Sequence, residues 1–304
     1  MRMFLGHMNF KRSLFLAFLC FSWIGVASTP PQYGLSGLSV FVDAGLLVPN
    51  AKQANFYDGR GGRPNTISRV LYSQSYGQQI WSSLKNQGYL QSIGSYNEIT
   101  IADYPEMYYR LTYQIGLGIR YDYSHGWGWL LRFDYSQLTA TGVFHLNNAV
   151  SSGILTNQGS YINCNMVGVE RRLYIDVALT KRFVLGGNFE FETQFGFNFN
   201  NTKVTEQQMQ IGGTNYSILD VWNGANDLYA GIGSYDYINQ GGLGFGALGG
   251  LALCYVLPSI GSIDLGYTMY YTKTTYKGYN EDDAFAMQHV IYLKINLSNF
   301  SFFQ

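Results

Sequence analysis

The side chains best suited to proton transfer in this sequence are four histidines, His7, His125, His145 and His289. Acyl hydrolysis would need one of them beside a Ser or Cys nucleophile and an orienting group. His145 and His289, with Asp282 and Asp283 not far off in sequence, are the one constellation of that kind. Two histidines at a solvated rim carry no such chemistry, so the chain is expected not to be an enzyme. The larger reactive set is ionic: Asp43, Arg110, Arg120, Asp122, Arg132, Asp134, Asp176, Glu190, Glu192, Asp264 and Lys294. Each falls on the polar parity of an alternating segment. Gathered in a narrow interior, such charges must pair or keep water. They would form either an ion path or a salt-bridged polar core, and the core is the preferred reading. Neither a CxxC pair nor a His-rich tract is present, so no metal or cofactor is expected. Gly59-Arg60-Gly61-Gly62-Arg63-Pro64 resembles a phosphate cradle only superficially, since no strand precedes it and no helix opens directly after it.

The elements that position these charges are strands, because period-2 alternation dominates the chain. From Tyr109 the odd positions read Tyr, Leu, Tyr, Ile, Leu, Ile, Tyr, Tyr, while the even positions from Arg110 to Asp122 are polar or glycine. Fifteen such residues exceed a soluble strand of about 5–6 and suit a tilted membrane strand of about 9–11 with extensions. The same pattern recurs at Ser39–Val48, Trp127–Ser136, Leu173–Thr180, Asn188–Phe199, Ile263–Tyr271 and Ile291–Leu297. The uncharged stretch Gly242–Gly261 is read as an eighth strand rather than a helix, because of the five glycines from Gly242 to Gly250 and Pro258.

Connections alternate between the tight turns Ser124–Gly126, Thr180–Arg182 and Pro258–Gly261 and long loops near 49–105, 145–160, 201–240 and 273–286. Short periplasmic turns, long outer loops and an even strand number define a transmembrane barrel. In hydrocarbon an open edge cannot survive, so the sheet must close. The expected fold is all-β: a closed antiparallel up-and-down barrel of about eight strands, with ten as the alternative if the hairpin around Gly212-Gly213 joins the wall. That hairpin is too polar to face lipid and is read as standing above the membrane. In the first loop, Leu71, Ile80, Trp81 and Leu84 lie near helical spacing, which allows a short amphipathic helix capping the barrel. A surface Ω-type loop is preferred to it.

Composition agrees. The 304 residues are 12% charged and 17% aromatic, with zero formal net charge, which excludes the basic footprint of a nucleic-acid binder. A mean hydropathy of −0.05 excludes a helical membrane bundle. Lys11 and Arg12 precede an uncharged run to Ala27, so residues 1–28 are expected to be a cleaved export signal and 29–304 the barrel. Cys164 and Cys254 are expected as free thiols. Tyr121, Tyr123, Trp127 and Trp129 cluster at one end of their hairpin, as an interfacial aromatic girdle would. Arg171, beside Arg172, breaks the apolar parity near the outer interface and suits a bulge or snorkelling.

The hairpin Met107–Tyr135, with its alternating face and short turn, resembles those of small outer-membrane barrels of the OmpA/OmpX type, in a style similar to barrels of Bacteroidota. The resemblance implies an outer-membrane location in a Gram-negative cell with both termini in the periplasm. It implies contact with outer-membrane lipid and lipopolysaccharide, and loops that bind an envelope or extracellular protein. A narrow porin-like channel, or an accessory barrel of a secretion or adhesion assembly, are the alternatives. The chain departs from the type in ending Phe302-Phe303-Gln304 rather than on an aromatic residue.

Overall fold

The computed structural model describes residues 37–60, 66–73, 76–90, 99–147, 161–218, 241–257, 261–276 and 285–298. The expected leader, the turn positions 258–260, Trp222, Tyr229, Tyr235, Tyr237, Asp282, Asp283 and Phe302–Gln304 lie outside the described residues.

Alternating segments form the strands. They are β1 (Gly37–Val48), β2 (Ile101–Asp103), β3 (Tyr108–Tyr109), β4 (Thr112–Asp122), β5 (Trp127–Asn147), β6 (Tyr161–Gly186), β7 (Phe189–Ile211), β8 (Thr214–Ser217), β9 (Leu243–Leu257), β10 (Gly261–Lys273) and β11 (Ala286–Ser298). Eight of them close a ring in which each pairs antiparallel with two neighbours, in the order β1, β4, β5, β6, β7, β9, β10, β11. The ring shuts where β1 meets β11, with Val42 opposite Ile295, while Val42 faces Leu117 of β4 on its other side. The fold is therefore an eight-stranded up-and-down barrel, and the glycine-rich stretch is its strand β9. β2, β3 and β8 stay outside the ring: β2 and β3 add to β5, and β8 adds to β7.

The outward residues form an apolar belt. Phe195 and Leu117 are 68% and 61% exposed, which in a membrane barrel is lipid contact. The inward residues are mostly polar and buried. Tyr121 and Trp129 face each other across the β4–β5 pair, and the Tyr121 and Tyr123 rings meet edge-on at 5.0 Å. They occupy the short-turn end of the belt together with Trp127, over whose ring Lys181 lies at 4.9 Å.

One turn differs from the sequence expectation. β6 runs on through Thr180-Lys181-Arg182, and the chain reverses at Gly186-Gly187, both at positive φ (125° and 57°), where glycine is unstrained. Lys181 suits an interfacial strand position because its stem covers aromatic surface while its ammonium stays wet.

At the other end of the barrel β5, β6 and β7 continue well past the belt, and the two faces exchange character. Gln137, Asn163, Asn165, Arg171, Lys203 and Gln210 point outward and are exposed. Leu138, Phe144, Leu146, Ile162, Cys164, Met166, Met209 and Ile211 point inward and are buried. This inner face is covered by the segment after β1, which folds into α1 (Ala51–Ala54), α2 (Ile67–Leu71) and α3 (Gly77–Asn86). Asn50 caps α1 through Lys52 N at 2.8 Å, and Thr66 caps α2 through Arg69 N at 3.3 Å, as N-cap Asn and Thr do. Ile80 and Leu84, one turn apart, bury the apolar stripe of α3 together with Ile67, Val70 and Leu71 of α2. The capping helix is what forms here, in place of the surface Ω-loop. The hairpin at Gly212-Gly213 has both glycines at positive φ, the requirement of a two-residue type I′ turn. It extends the wall beyond the belt and does not enter the ring.

Arginine at Phe195, near the middle of the belt, is expected to cost about 2–4 kcal/mol, and at Asn163, on the polar face of the wall, under about 0.5 kcal/mol, by equilibrium unfolding of the refolded barrel in urea. Aspartate at both Ile80 and Leu84 is expected to release the cap. Trypsin should then cut at Lys85 while the barrel keeps its heat-modifiable mobility on gels.

Candidate functional site

The inward charges assemble in three tiers. Nearest the short turns, three cations converge on Glu192. Arg120 contacts it directly, Arg182 Nε lies at 2.9 Å and Lys294 Nζ at 3.3 Å. Arg120 is held from below by Asp122 at 2.7 Å, Arg182 also meets Glu190 at 3.4 Å, and Lys294 also meets Asp264 at 3.0 Å. Gln194 donates to Glu192 at 2.7 Å, and Ser262 and Asn296 donate to Asp264, each at 2.7 Å. Register makes this possible: Asp264 sits opposite Lys294 across β10–β11 and Arg182 opposite Glu192 across β6–β7.

The middle tier is centred on Arg132. It binds Asp176 at 2.6 Å and Asp134 at 3.0 Å, and Tyr270 donates to Asp176 at 2.8 Å. Asp43 completes it. A side chain at Gly116 would collide with the carboxyl oxygens of both Asp134 and Asp43, so only glycine leaves room for the acids to lean inward here. This tier is acid-rich. Asp43 Oδ2 and Asp134 Oδ1 are buried without hydrogen-bond partners, and Asp134 Oδ2 has its ion-pair contact with Arg132.

The third tier joins barrel and cap. Glu170 accepts from Arg172 Nε at 2.6 Å, from Tyr57 at 2.6 Å and from Tyr276 at 2.8 Å. Arg172 also donates to Gln53 at 2.9 Å and to Gln288 at 3.1 Å. Burial, with the Glu170 carboxylate beside it, holds the Tyr57 hydroxyl well above its ordinary pKa, so it stays a donor. A Cβ at Gly168 would strike the Tyr57 ring, and Phe56 stacks on Tyr276 at 4.4 Å.

Of the charges expected inside, ten are there: Asp43, Arg120, Asp122, Arg132, Asp134, Asp176, Glu190, Glu192, Asp264 and Lys294 are all buried. Arg110 is not. Register slips by one residue between β3, where Tyr109 faces Ala140, and β4, where Gln114 faces Ser136. The slip turns Tyr109 inward, to 3.1 Å from the Tyr276 hydroxyl, and leaves Arg110 exposed outside. Sequence reasoning missed Arg172, Glu170 and Arg182. The first two share the parity of Asp176 and become visible when the β6 alternation is continued upward; Arg182 was hidden by its polar neighbours.

Arg120, Arg132, Arg172 and Lys294 are each 0–1% exposed. A water-wide passage would have to wet them, so the side chains fill the lumen, as an eight-stranded ring allows. Glu192, Cys254 and Asp264 place ligand atoms within 4.8 Å of one another, yet Lys294 already lies between the two carboxylates and supplies the positive charge.

The histidines do not form a hydrolytic site among the described residues. His145 Nδ1 pairs with Asp103 at 2.7 Å, and His289 bonds the Tyr267 hydroxyl at 2.7 Å. They lie on β5 and β11, which are not adjacent. Cys164 and Cys254 are free and buried. Burial pushes the Cys164 thiol up to about 12, which removes it as a nucleophile at neutral pH.

No family model and no curated protein matches the sequence. Among solved structures, the chain is similar to Neisserial surface protein A, with a TM-score of 0.37 and 9% identity over 87% of this chain and 98% of that one. It is similar to the outer membrane protein OprG from Pseudomonas aeruginosa, with a TM-score of 0.38 and 11% identity over 87% and 97%. It is also similar to Ail, the attachment invasion locus protein of Yersinia pestis, with a TM-score of 0.31 and 9% identity over 86% and 100%. The likeness is one of fold.

Glu192→Gln is expected to destabilise the barrel by about 3–5 kcal/mol, since it strands buried cations, as read by urea unfolding. Combining it with Lys294→Met should recover part of that loss.

Proposed function

We propose that the chain is a non-enzymatic integral outer-membrane protein with a sealed barrel, whose long β5–β6–β7 wall and folded first loop form a binding platform on the cell surface. The observation that carries this reading is the lumen itself: five cations and eight carboxylates are buried inside it, packed against one another and roofed by Tyr57 and Gln53 of the first loop. In this reading the short turns and both termini lie in the periplasm and the wall faces out, the arrangement that outer-membrane barrels share. Arg171 and Lys203, opposite each other at the upper rim of the belt, then stand at headgroup level, where they attract lipid and lipopolysaccharide phosphates. The capped wall above them offers a rigid polar surface to an envelope or extracellular protein. A fixed surface of this kind binds better than a mobile loop because its ordering cost is met on folding.

The test is single-channel recording of refolded residues 29–304 in a planar bilayer, with insertion verified by heat modifiability. Silence is expected. Steady openings whose ion preference shifts in Asp134→Asn would overturn the sealed barrel and make the middle tier a conduction path.

A further inference from the structure

The outer face of the wall carries a groove of about 530 Å3. Its floor is two rows of cross-strand neighbours. Tyr108, Thr141, Val167 and Gln208 make one, and Val143, Asn165, Gln210 and Asn215 the other. Asn165 Nδ2 donates to Gln210 Oε1 at 2.9 Å, and the Asn165 oxygen and the Gln210 amide nitrogen make no other hydrogen bond among the described residues. Thr141 is 9% exposed, and its hydroxyl has no hydrogen-bond partner. A buried polar group left unpaired is costly. Tyr108 is 58% exposed, so a ring face is available beside the hydroxyl. Arg110, displaced outward by the register slip, lines one side and makes no ion pair among the described residues.

Primary amides offer donor and acceptor together, and an array of them pairs vicinal hydroxyls. An aromatic face and two valines accept C–H surface, and a free guanidinium takes a carboxylate or phosphate in bidentate fashion. Together these fit an acidic saccharide. The other ligand classes fit poorly. A metal ion would be repelled by Arg110. An apolar ligand would leave the amides unpaired. An added peptide strand needs a free edge, whereas the β5, β6 and β7 part of this floor is sheet face, with each strand paired on both sides. Thr141 lies six residues beyond Tyr135 on β5, roughly 20 Å along the strand and about 15 Å above Tyr135 at the usual barrel tilt. Sugars attached to the surrounding lipid occupy that level.

We infer that this groove is a saccharide site that takes an acid-bearing sugar of neighbouring lipopolysaccharide; the inference rests on the outer-membrane placement proposed above. The test uses the refolded protein in nanodiscs free of lipopolysaccharide, titrated calorimetrically with delipidated acidic core oligosaccharide. Saturable binding is expected, weakened at least tenfold by Arg110→Ala and by Asn165→Ala, both exposed positions, and unchanged by Arg171→Ala at the rim. No saturable binding, or equal affinity in the groove variants, would overturn the site. Equal affinity for a hexamer of galacturonate would overturn the lipid-borne source in favour of free acidic saccharides. Intact lipopolysaccharide whose binding depends on Arg171 and Lys203 but not on Arg110 would overturn the groove and leave the membrane placement standing.

Discussion

A sheet that closes on itself in hydrocarbon has to turn its polar side chains inward, and eight strands enclose too little space for those groups to stay hydrated. The rest of the structure answers that constraint. Charge inside the ring is neutralised by other charge, which is why Glu192 gathers Arg120, Arg182 and Lys294 from three different strands. Buried ion pairs of this kind add little net stability over an apolar core, because desolvation consumes most of the Coulombic gain. Their contribution is to register. Sliding β4 by one residue would send Arg120 into lipid and leave Glu192 short of a partner, so each tier penalises the wrong pairing of its strands.

Above the belt the solvent changes from lipid to water, and the same three strands reverse their logic. Outward positions become polar and inward positions apolar, so the upper wall is an ordinary half-buried sheet in need of a cover. The first loop supplies it with Phe56, Tyr57, Ile80 and Leu84. A Tyr57–Glu170 bond of 2.6 Å ties the cover to the uppermost lumen charges. The wall's edges are blunted by short additions, β2 and β3 on one side and β8 on the other, and very short edge strands are poor templates for recruiting further strands.

Barrel, strand number and lumen composition were legible in the sequence because each rests on period 2, which a lipid–protein boundary enforces residue by residue. Three features of the strands were not. The slip before Thr112 leaves the alternation of residue types intact while turning Arg110 outward, so composition alone places Arg110 on the wrong side. Thr180-Lys181-Arg182 reads as a turn because polar residues cluster in turns, whereas here one points to an interface and its neighbour to buried acids. Glu170 and Arg172 sit where the outward alternation loses its apolar signal at Arg171, and strands traced by lipid-facing residues stop there. Each miss lies where the environment changes along a strand, so that a pattern tuned to one solvent no longer describes the next few residues.

A filled lumen also decides where recognition can occur. Arg120, Arg132, Arg172 and Lys294 are buried, and in the sealed-barrel reading proposed above a solute meets the protein on its outside, at the belt or on the wall. The belt offers dispersion and little selectivity, because most outward side chains there are apolar. The wall's outer face is different: it is polar and backed by its own core. The slip at β3 turns a cation toward that face, and Gly212-Gly213 folds β8 back so that Asn215 joins its amide row. These two local irregularities, which add nothing to closing the barrel, both act on the same groove.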